Sequence, residues 1–370
     1  MENQATKPVT RRRRKKSNAK SVLCFIRRFL LVFFTLVLLL FVGLVLICNL
    51  IFNGPSTTAR DRLTMSMRES SGMKWCPALF IGKDTVAEIE KVTASELPDQ
   101  LSDNSQIKID LDNVLSGTDE WENHPDGIRI EKVSGDTYNA YVMIVRDPSR
   151  VYLATSSDNF TTSKPGTRIT QQIETEGAVA AINAGAFFDD GTSSSVVGSV
   201  PEGLVISEGT VRWNSGKAPQ EGFVGFNNDN VMVVAKSMTA EKAMEIGIRD
   251  GCCFGPVLIM NNTVNEEAYN ANSGLNPRTA VGQRADGAVI FLCIDGRQAS
   301  SMGGTYADII DIMVEFGAVN ACNLDGGSST VMLYRDHNSG KVSMINSYSL
   351  LQEQPRRMPT FIMVRPESEG

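Results

Sequence analysis

Asn320-Ala-Cys-Asn-Leu-Asp325-Gly-Gly-Ser-Ser-Thr330 is the stretch from which the fold reads outward. A short apolar run reads as a strand, and it stops at a carboxylate followed by two glycines and three hydroxyl residues. Asp325 is the only charge among these eleven residues. A carboxylate at the end of a buried strand is costly unless something polar meets it there. Gly326 and Gly327 let the backbone turn tightly and bring N–H groups close to a ligand, a geometry suited to a phosphate or a sugar. The same residues also fit a plain turn between two strands, for which Asp-Gly is a common signal.

The pattern recurs along the chain. Asn183 follows Val179-Ala-Ala-Ile182, and Asp295 follows Phe291-Leu-Cys-Ile294 and precedes Gly296-Arg297. Arg278 stands in Asn276-Pro-Arg-Thr279, and Glu202 in Val200-Pro-Glu-Gly203. Strands that end in Asn or Asp and then glycine predict one rim where polar groups converge. Each residue has a plainer use. Asn183 could tie a neighbouring turn, Asp295 could pair with Arg297, and Arg278 and Glu202 could be surface charges. Ser328, Ser329 and Thr330 could satisfy turn backbone.

Alternation predicts a strand at Ile128–Val133, β-rich composition one at Tyr138–Val145, and the turn Arg146–Arg150 is followed by a third at Val151–Thr155; Gly203–Ile206 and Thr210–Trp213 flank the Ser207-Glu-Gly209 turn as a hairpin. Further strands are predicted at Ala178–Ile182, Val257–Met260, Thr279–Gln283 and Ala288–Ile294. Helices are predicted from Thr170 to Glu176, from Thr239 to about Arg249, and from Thr305. The last has Asp308 placed for a capping box, an apolar face of Ile309, Ile310, Met313 and Phe316, and Gly317 as its stop. The class is α+β, a mixed β-sheet core with packed helices, preceded by one transmembrane helix and a helical stalk.

The N-terminus sets the expected location. Ten of the 36 basic residues and one of the 42 acidic ones lie in the first 28 positions, and Phe29 to Phe52 carries no charge. At about 1.5 Å per residue that run spans a bilayer, and its basic flank is expected to stay cytoplasmic. The apolar run is too long for a cleavable signal peptide, so an uncleaved signal anchor is expected. The expected divisions are a basic tail (1–28), an anchor (29–52), a stalk and linker (53–126) and a globular domain outside the cell (127–370). Beyond residue 28 there remain 26 basic against 41 acidic residues, which argues against nucleic acid as a partner. An anionic glycan would then need a local cationic spot.

Familiar catalytic signatures fail. With only two histidines, a Ser-His-Asp triad or a His-rich zinc site has little material. Neither a P-loop nor a G-x-G-x-x-G is present. Cys76, Cys252, Cys253, Cys293 and Cys322 are odd in number and irregular in spacing, which is no disulfide framework. Cys293 and Cys322 read as small core residues.

Several blocks, in order, carry a resemblance: Ala181-Ile-Asn-Ala-Gly-Ala-Phe-Phe188, Pro201-Glu-Gly-Leu-Val-Ile206, Phe254-Gly-Pro-Val-Leu-Ile259, Asn276-Pro-Arg-Thr-Ala-Val-Gly282, Asp295-Gly-Arg297 and Asn320 to Thr330. Together they resemble the phosphodiester glycosidase family, over about residues 128–365. Two departures stand out. The family's Asn-Gly-Gly-Phe-Phe is here Asn183-Ala-Gly-Ala-Phe-Phe, and its last loop often has a third glycine. The resemblance implies hydrolysis of a sugar-1-phosphate diester in a cell-surface, cell-wall or exopolysaccharide-type glycan. Under it, Asp325 and Asp295 serve as base, nucleophile or charge stabiliser, with Glu202 as reserve acid. Arg278 offers a fork to phosphate, and Asn183 orients the sugar. Gly326, Gly327, Ser328, Ser329 and Thr330 complete the cradle. Asp295, Asp325 and Asn183 could supply oxygen ligands to Ca²⁺ or Mg²⁺, though nothing in the spacing requires a metal. A non-catalytic glycan-binding surface protein, or a glycosyl transferase using the same cleft, remains open.

Overall fold

The computed structural model describes residues 19–70, 72–91, 101–109, 121–188, 198–216, 222–347 and 354–367. The basic tail up to residue 18 and most of the expected linker (92–100 and 110–120) lie outside the described residues. The chain forms two compact units, Met1–Gly54 and Pro55–Gly370.

Among the described residues, the first unit holds the helix Ala19–Phe52. Within Leu23–Phe52, 30 residues, an 18-residue window reaches a mean hydropathy of 3.3, so the helix is long and apolar enough to cross a membrane. The hydroxyl of Thr35 donates back to the Leu31 carbonyl (2.8 Å), so the helix carries it without an unmet polar group.

The second unit is α+β, and its described strands all pair antiparallel. The sheet that carries the opening stretch has seven strands. In order they are Ile128–Ser134, Asn139–Val145, Val289–Ile294, Arg278–Arg284, Ala318–Leu324, Val257–Met260 and Thr263–Val264. One five-stranded sheet contains Leu204–Ser207, Ile248–Cys253 and Phe223–Asn227; the other contains Ala180–Asn183, Met332–Arg335 and Thr360–Val364. Met143, Val224 and Ile362 come from the three different sheets and meet in one buried cluster. The period of two decides this packing. Met143 and Val145 face that cluster, whereas Ala140, Val142 and Ile144 of the same strand face a second one shared with Ile309, Ile310 and Met313.

The helix Tyr306–Glu315 begins as expected. Thr305 Oγ1 accepts from the Asp308 N–H (3.2 Å), and Asp308 Oδ2 accepts from the Thr305 N–H (2.7 Å). Such a cap is worth about 1 kcal/mol. The hairpin and the strands Val151–Thr155 and Val257–Met260 also fall where expected. Two helices differ. Thr239 caps a helix that covers only Ala240–Glu245, because Gly247 turns the chain at φ +69° and Ile248–Cys253 enters a sheet. The helix after residue 168 is Ile169–Thr175 and is preceded by Arg168, not capped by Thr170. Cys252, Cys253, Cys293 and Cys322 are buried and free.

The expected stalk is part of the second unit. It forms a strap of the helix Thr57–Arg68 and the helical segment Cys76–Lys91, broken at Gly82, which pack on each other and bury Thr64, Met65, Val86 and Ile89. Arg68 braces the connecting turn, with Nε donating to Glu90 (2.6 Å) and Nη1 to the Lys74 carbonyl (3.1 Å). Gly274 is required beneath it, since a Cβ there would lie 2.3 Å from the Ser66 nitrogen.

Candidate functional site

Register brings the strand-end residues together. Arg278 pairs with Ile294, and Thr279 pairs with Leu324, so Arg278, Asp295 and Asp325 emerge at one rim of the seven-stranded sheet. Asn183, at the end of its own strand, joins a second sheet to that rim. Its Nδ2 donates to the Asp325 carbonyl, and its Oδ1 accepts from Thr279 Oγ1 (2.8 Å) and from the Val331 N–H (3.2 Å).

A cavity of about 720 Å³ opens at this rim. Arg278, Asp325, Gly326, Gly327, Ser328 and Glu202 all line it. Asn276, Arg297, Tyr306, Asn323, Arg356 and the apolar side chains Phe187, Phe188 and Phe254 complete the domain side. Arg68, Glu69, Ser70, Gly72 and Lys74 of the strap cover it.

The centre of the site is an ion pair. Glu69 Oε2 lies 2.9 Å from Arg278 Nη2 and accepts from Asn276 Nδ2 at 2.7 Å. Arg278 is itself tightly held. Its Nε donates to the Gly304 carbonyl (3.1 Å), its Nη2 to the Gly274 carbonyl (2.7 Å), and its guanidinium lies 4.6 Å from the Tyr306 ring centroid. Burial raises the Tyr306 hydroxyl to about 12, with the Glu69 charge adding to the effect. Arg297 Nη2 donates to Asn276 Oδ1 (3.0 Å), and burial pulls its pKa down while Glu69 and Asp325 oppose that. A buried arginine and an amide thus hold one carboxylate between them.

The glycines of the last loop are needed for two reasons. A Cβ on Gly326 would lie 2.7 Å from the Pro277 carbonyl oxygen. Gly327 has φ +60°, and a Cβ there would press on the Arg297 guanidinium. The N–H groups of Gly327 and Ser329 donate to the Pro277 and Gly326 carbonyls (2.8 and 3.1 Å), so they hold the loop and are not offered to a ligand. Ser329 and Thr330 are buried behind the loop and do not line the cavity.

The carboxylates divide. Asp325 and Glu202 line the cavity, and burial raises the pKa of Glu202 against a smaller opposing pull from Lys74. Asp295 turns away: its Oδ1 accepts from the Ser347 N–H (2.9 Å) and from Asn346 Nδ2 (3.3 Å), and burial raises its pKa. Among the described residues no group of three or more His, Cys, Asp or Glu could hold a metal ion. Glu69 and Arg356 escaped the sequence reading; Asn276 and Arg297 stand in the quoted blocks around Arg278 and Asp295 but were not taken as site residues.

Comparison with known proteins agrees with this architecture. The catalytic domain of zebrafish N-acetylglucosamine-1-phosphodiester alpha-N-acetylglucosaminidase, auto-inhibited by its pro-peptide, superposes with a TM-score of 0.52 at 20% identity. The match covers 66% of this chain and 85% of that one, and it shows a shared fold. The SPbeta prophage-derived uncharacterized protein YomE of Bacillus subtilis is 29% identical over 160 residues, 41% of this chain. That match spans about a quarter (24%) of YomE's own length. The model of the phosphodiester glycosidase family matches residues 176–365, and the chain belongs to that family.

Proposed function

We propose that this chain hydrolyses a sugar-1-phosphate diester of a cell-surface or exopolysaccharide-type glycan, releasing free sugar and a phosphomonoester. One observation carries the reading: a carboxylate is seated on Arg278 and Asn276 in the cavity that Asp325 and Glu202 also line. A diester phosphate placed there would have its anomeric carbon within the same cavity as both acids. Water adds to that carbon, the C–O bond breaks, and the phosphate leaves with the electron pair. Phosphate is a good leaving group, so the main demands are to hold it and to stabilise the oxocarbenium-like state. Asp325 is the base or nucleophile, and Glu202, whose pKa burial raises, is the acid in reserve. The N-terminal helix anchors the protein, and its basic flank orients the domain outward.

The strap closes the resting site in this reading, since Glu69 takes the place of the substrate's phosphate. The auto-inhibition of the zebrafish enzyme by its pro-peptide supports it. The test is release of free sugar from a panel of sugar-1-phosphate diesters, using the full chain in detergent and its Asp325→Asn and Glu69→Ala variants. Release that Asp325→Asn abolishes supports the proposal. Binding without release, or release only when a sugar acceptor is added, overturns it in favour of a binding protein or a transferase.

A further inference from the structure

Single exposed hydrophobic residues are ordinary on a protein surface, but a group of them is not. Among the described residues beyond the N-terminal helix, nine large hydrophobic side chains are exposed, and three of them, Met73, Trp75 and Leu79, fall within seven positions. Trp75 at 64% and Leu79 at 72% are the two most exposed of the nine. They stand four positions apart across the start of the segment Cys76–Lys91, about one helical turn. The indole N–H is already met within the turn, where Trp75 Nε1 donates to the Gly72 carbonyl (3.2 Å). What Trp75 presents outward is therefore an apolar ring.

The place of this group in the chain says what covers it. Only Asn53-Gly-Pro-Ser56 separates the N-terminal helix, which ends at Phe52, from the helix Thr57–Arg68. Four extended residues reach about 14 Å and a twelve-residue helix about 18 Å, so chain length alone keeps the start of the turn within about 32 Å of the end of the apolar helix. Charge does not seat the domain on a bilayer, since beyond residue 28 acids outnumber bases by 41 to 26 and an anionic surface repels it at long range. Apolar burial does. Tryptophan favours the headgroup level of a bilayer, and Lys74 and Lys83, both exposed beside the group, suit the same level.

We propose that Met73, Trp75 and Leu79 form a foot that seats in the headgroup region of the bilayer crossed by the chain's own N-terminal helix. This rests on the anchor of the reading above. The same turn carries Glu69 and Lys74 over the cavity, so the foot ties the cavity's cover to the membrane surface.

The test uses the full chain, reconstituted at low density in vesicles of zwitterionic lipid whose acyl chains carry bromine near the headgroup, near their ends, or not at all. The N-terminal helix has no tryptophan, Trp121 is buried, and Trp213 packs against Phe160, so Trp75 is the reporter and Trp75→Phe the control. Shallow bromine is expected to quench the emission more than deep bromine. That quenching is expected to be lost in Trp75→Phe, weakened when Met73→Gln and Leu79→Gln are combined, and unchanged by added salt. The three side chains are exposed, so the variants keep the fold. An alkaline wash of the vesicles checks the anchor by itself. A retained chain without quenching, as when a second copy or a soluble protein covers this face, overturns the foot and leaves the anchor standing. So does quenching that Trp75→Phe leaves intact, or quenching that is stronger from deep bromine. A chain that washes off overturns both.

Discussion

Replacing Glu69 by alanine separates what the strap does for stability from what it does to the site. Its carboxylate makes two charge-assisted contacts, at 2.9 Å to Arg278 and 2.7 Å to Asn276. Contacts of this kind contribute on the order of 1.5–3 kcal/mol each when shielded. The Glu69 side chain is 23% exposed, so screening reduces the pair's total. About 2 kcal/mol remains, which corresponds to roughly a 30-fold shift in the ratio of closed to open site. Arg278, at 6% exposure, loses its carboxylate partner in the variant. A buried charge left without its partner costs about 3–5 kcal/mol, less where the cavity admits water, and about 2 kcal/mol corresponds to a fall in Tm of roughly 4–8 °C. Glu69→Ala is therefore expected to cleave substrate up to roughly 30-fold faster while melting lower. Inorganic phosphate at about a hundred times its Kd adds about 2.7 kcal/mol, enough to restore the variant's Tm, and it stabilises the wild type less. Sugar release and thermal melts with and without phosphate read both effects. If the variant melts lower with unchanged turnover, and phosphate raises both proteins equally, Glu69 is not in the anion subsite.

Other perturbations follow from the same geometry. Glu202→Gln is expected to remove one limb of the pH–rate profile: in the wild type, kcat/KM falls as pH rises through the raised pKa of Glu202, and the variant lacks that fall. Asp250 is buried, accepts from the Glu208 N–H (3.1 Å), and has its pKa raised by burial above the ordinary 3.8 despite the nearby Arg249. The folded state therefore holds this proton more tightly, and stability falls as pH rises from 3.8 through the raised value. Asp250→Asn is expected to flatten that part of the Tm–pH curve, and an unchanged curve contradicts it. Gly327→Ala forces a side chain into φ +60° and against Arg297. A cost of about 1–2 kcal/mol and a raised KM are expected, measured by denaturant melts and initial rates.

What could be read from the sequence was local. Thr305, Asp308 and Gly317 mark a helix by rules that act within four residues, and the helix stands there. Val151–Thr155 was placed by its run of apolar and β-prone residues after the Arg146–Arg150 turn, and it is buried at four consecutive positions. The strand Ile248–Cys253 was not foreseen, and its first two residues were given to a helix, because the strand is buried on both faces and alternation vanishes. The rim was legible, since Asn183, Arg278, Asp295 and Asp325 all sit at strand ends. Their orientations were not. Asn183 and Asp295 turn to protein partners on segments far along the chain, and nothing near either residue announces this. The strap was least legible of all, because Glu69 meets Asn276 across 207 positions. A polar, mildly helical segment looks the same as a free stalk until the buried arginine it satisfies is in view.

Which bond is cut decides between attack at carbon and attack at phosphorus. Cleavage of a sugar-1-phosphate diester in ¹⁸O-labelled water, followed by mass spectrometry of both products, answers this directly. Attack at the anomeric carbon, guided by Asp325, predicts the label in the free sugar and none in the phosphomonoester. Label in the phosphate would mean that water attacks phosphorus, and the glycosidase mechanism assigned to this cavity would be wrong.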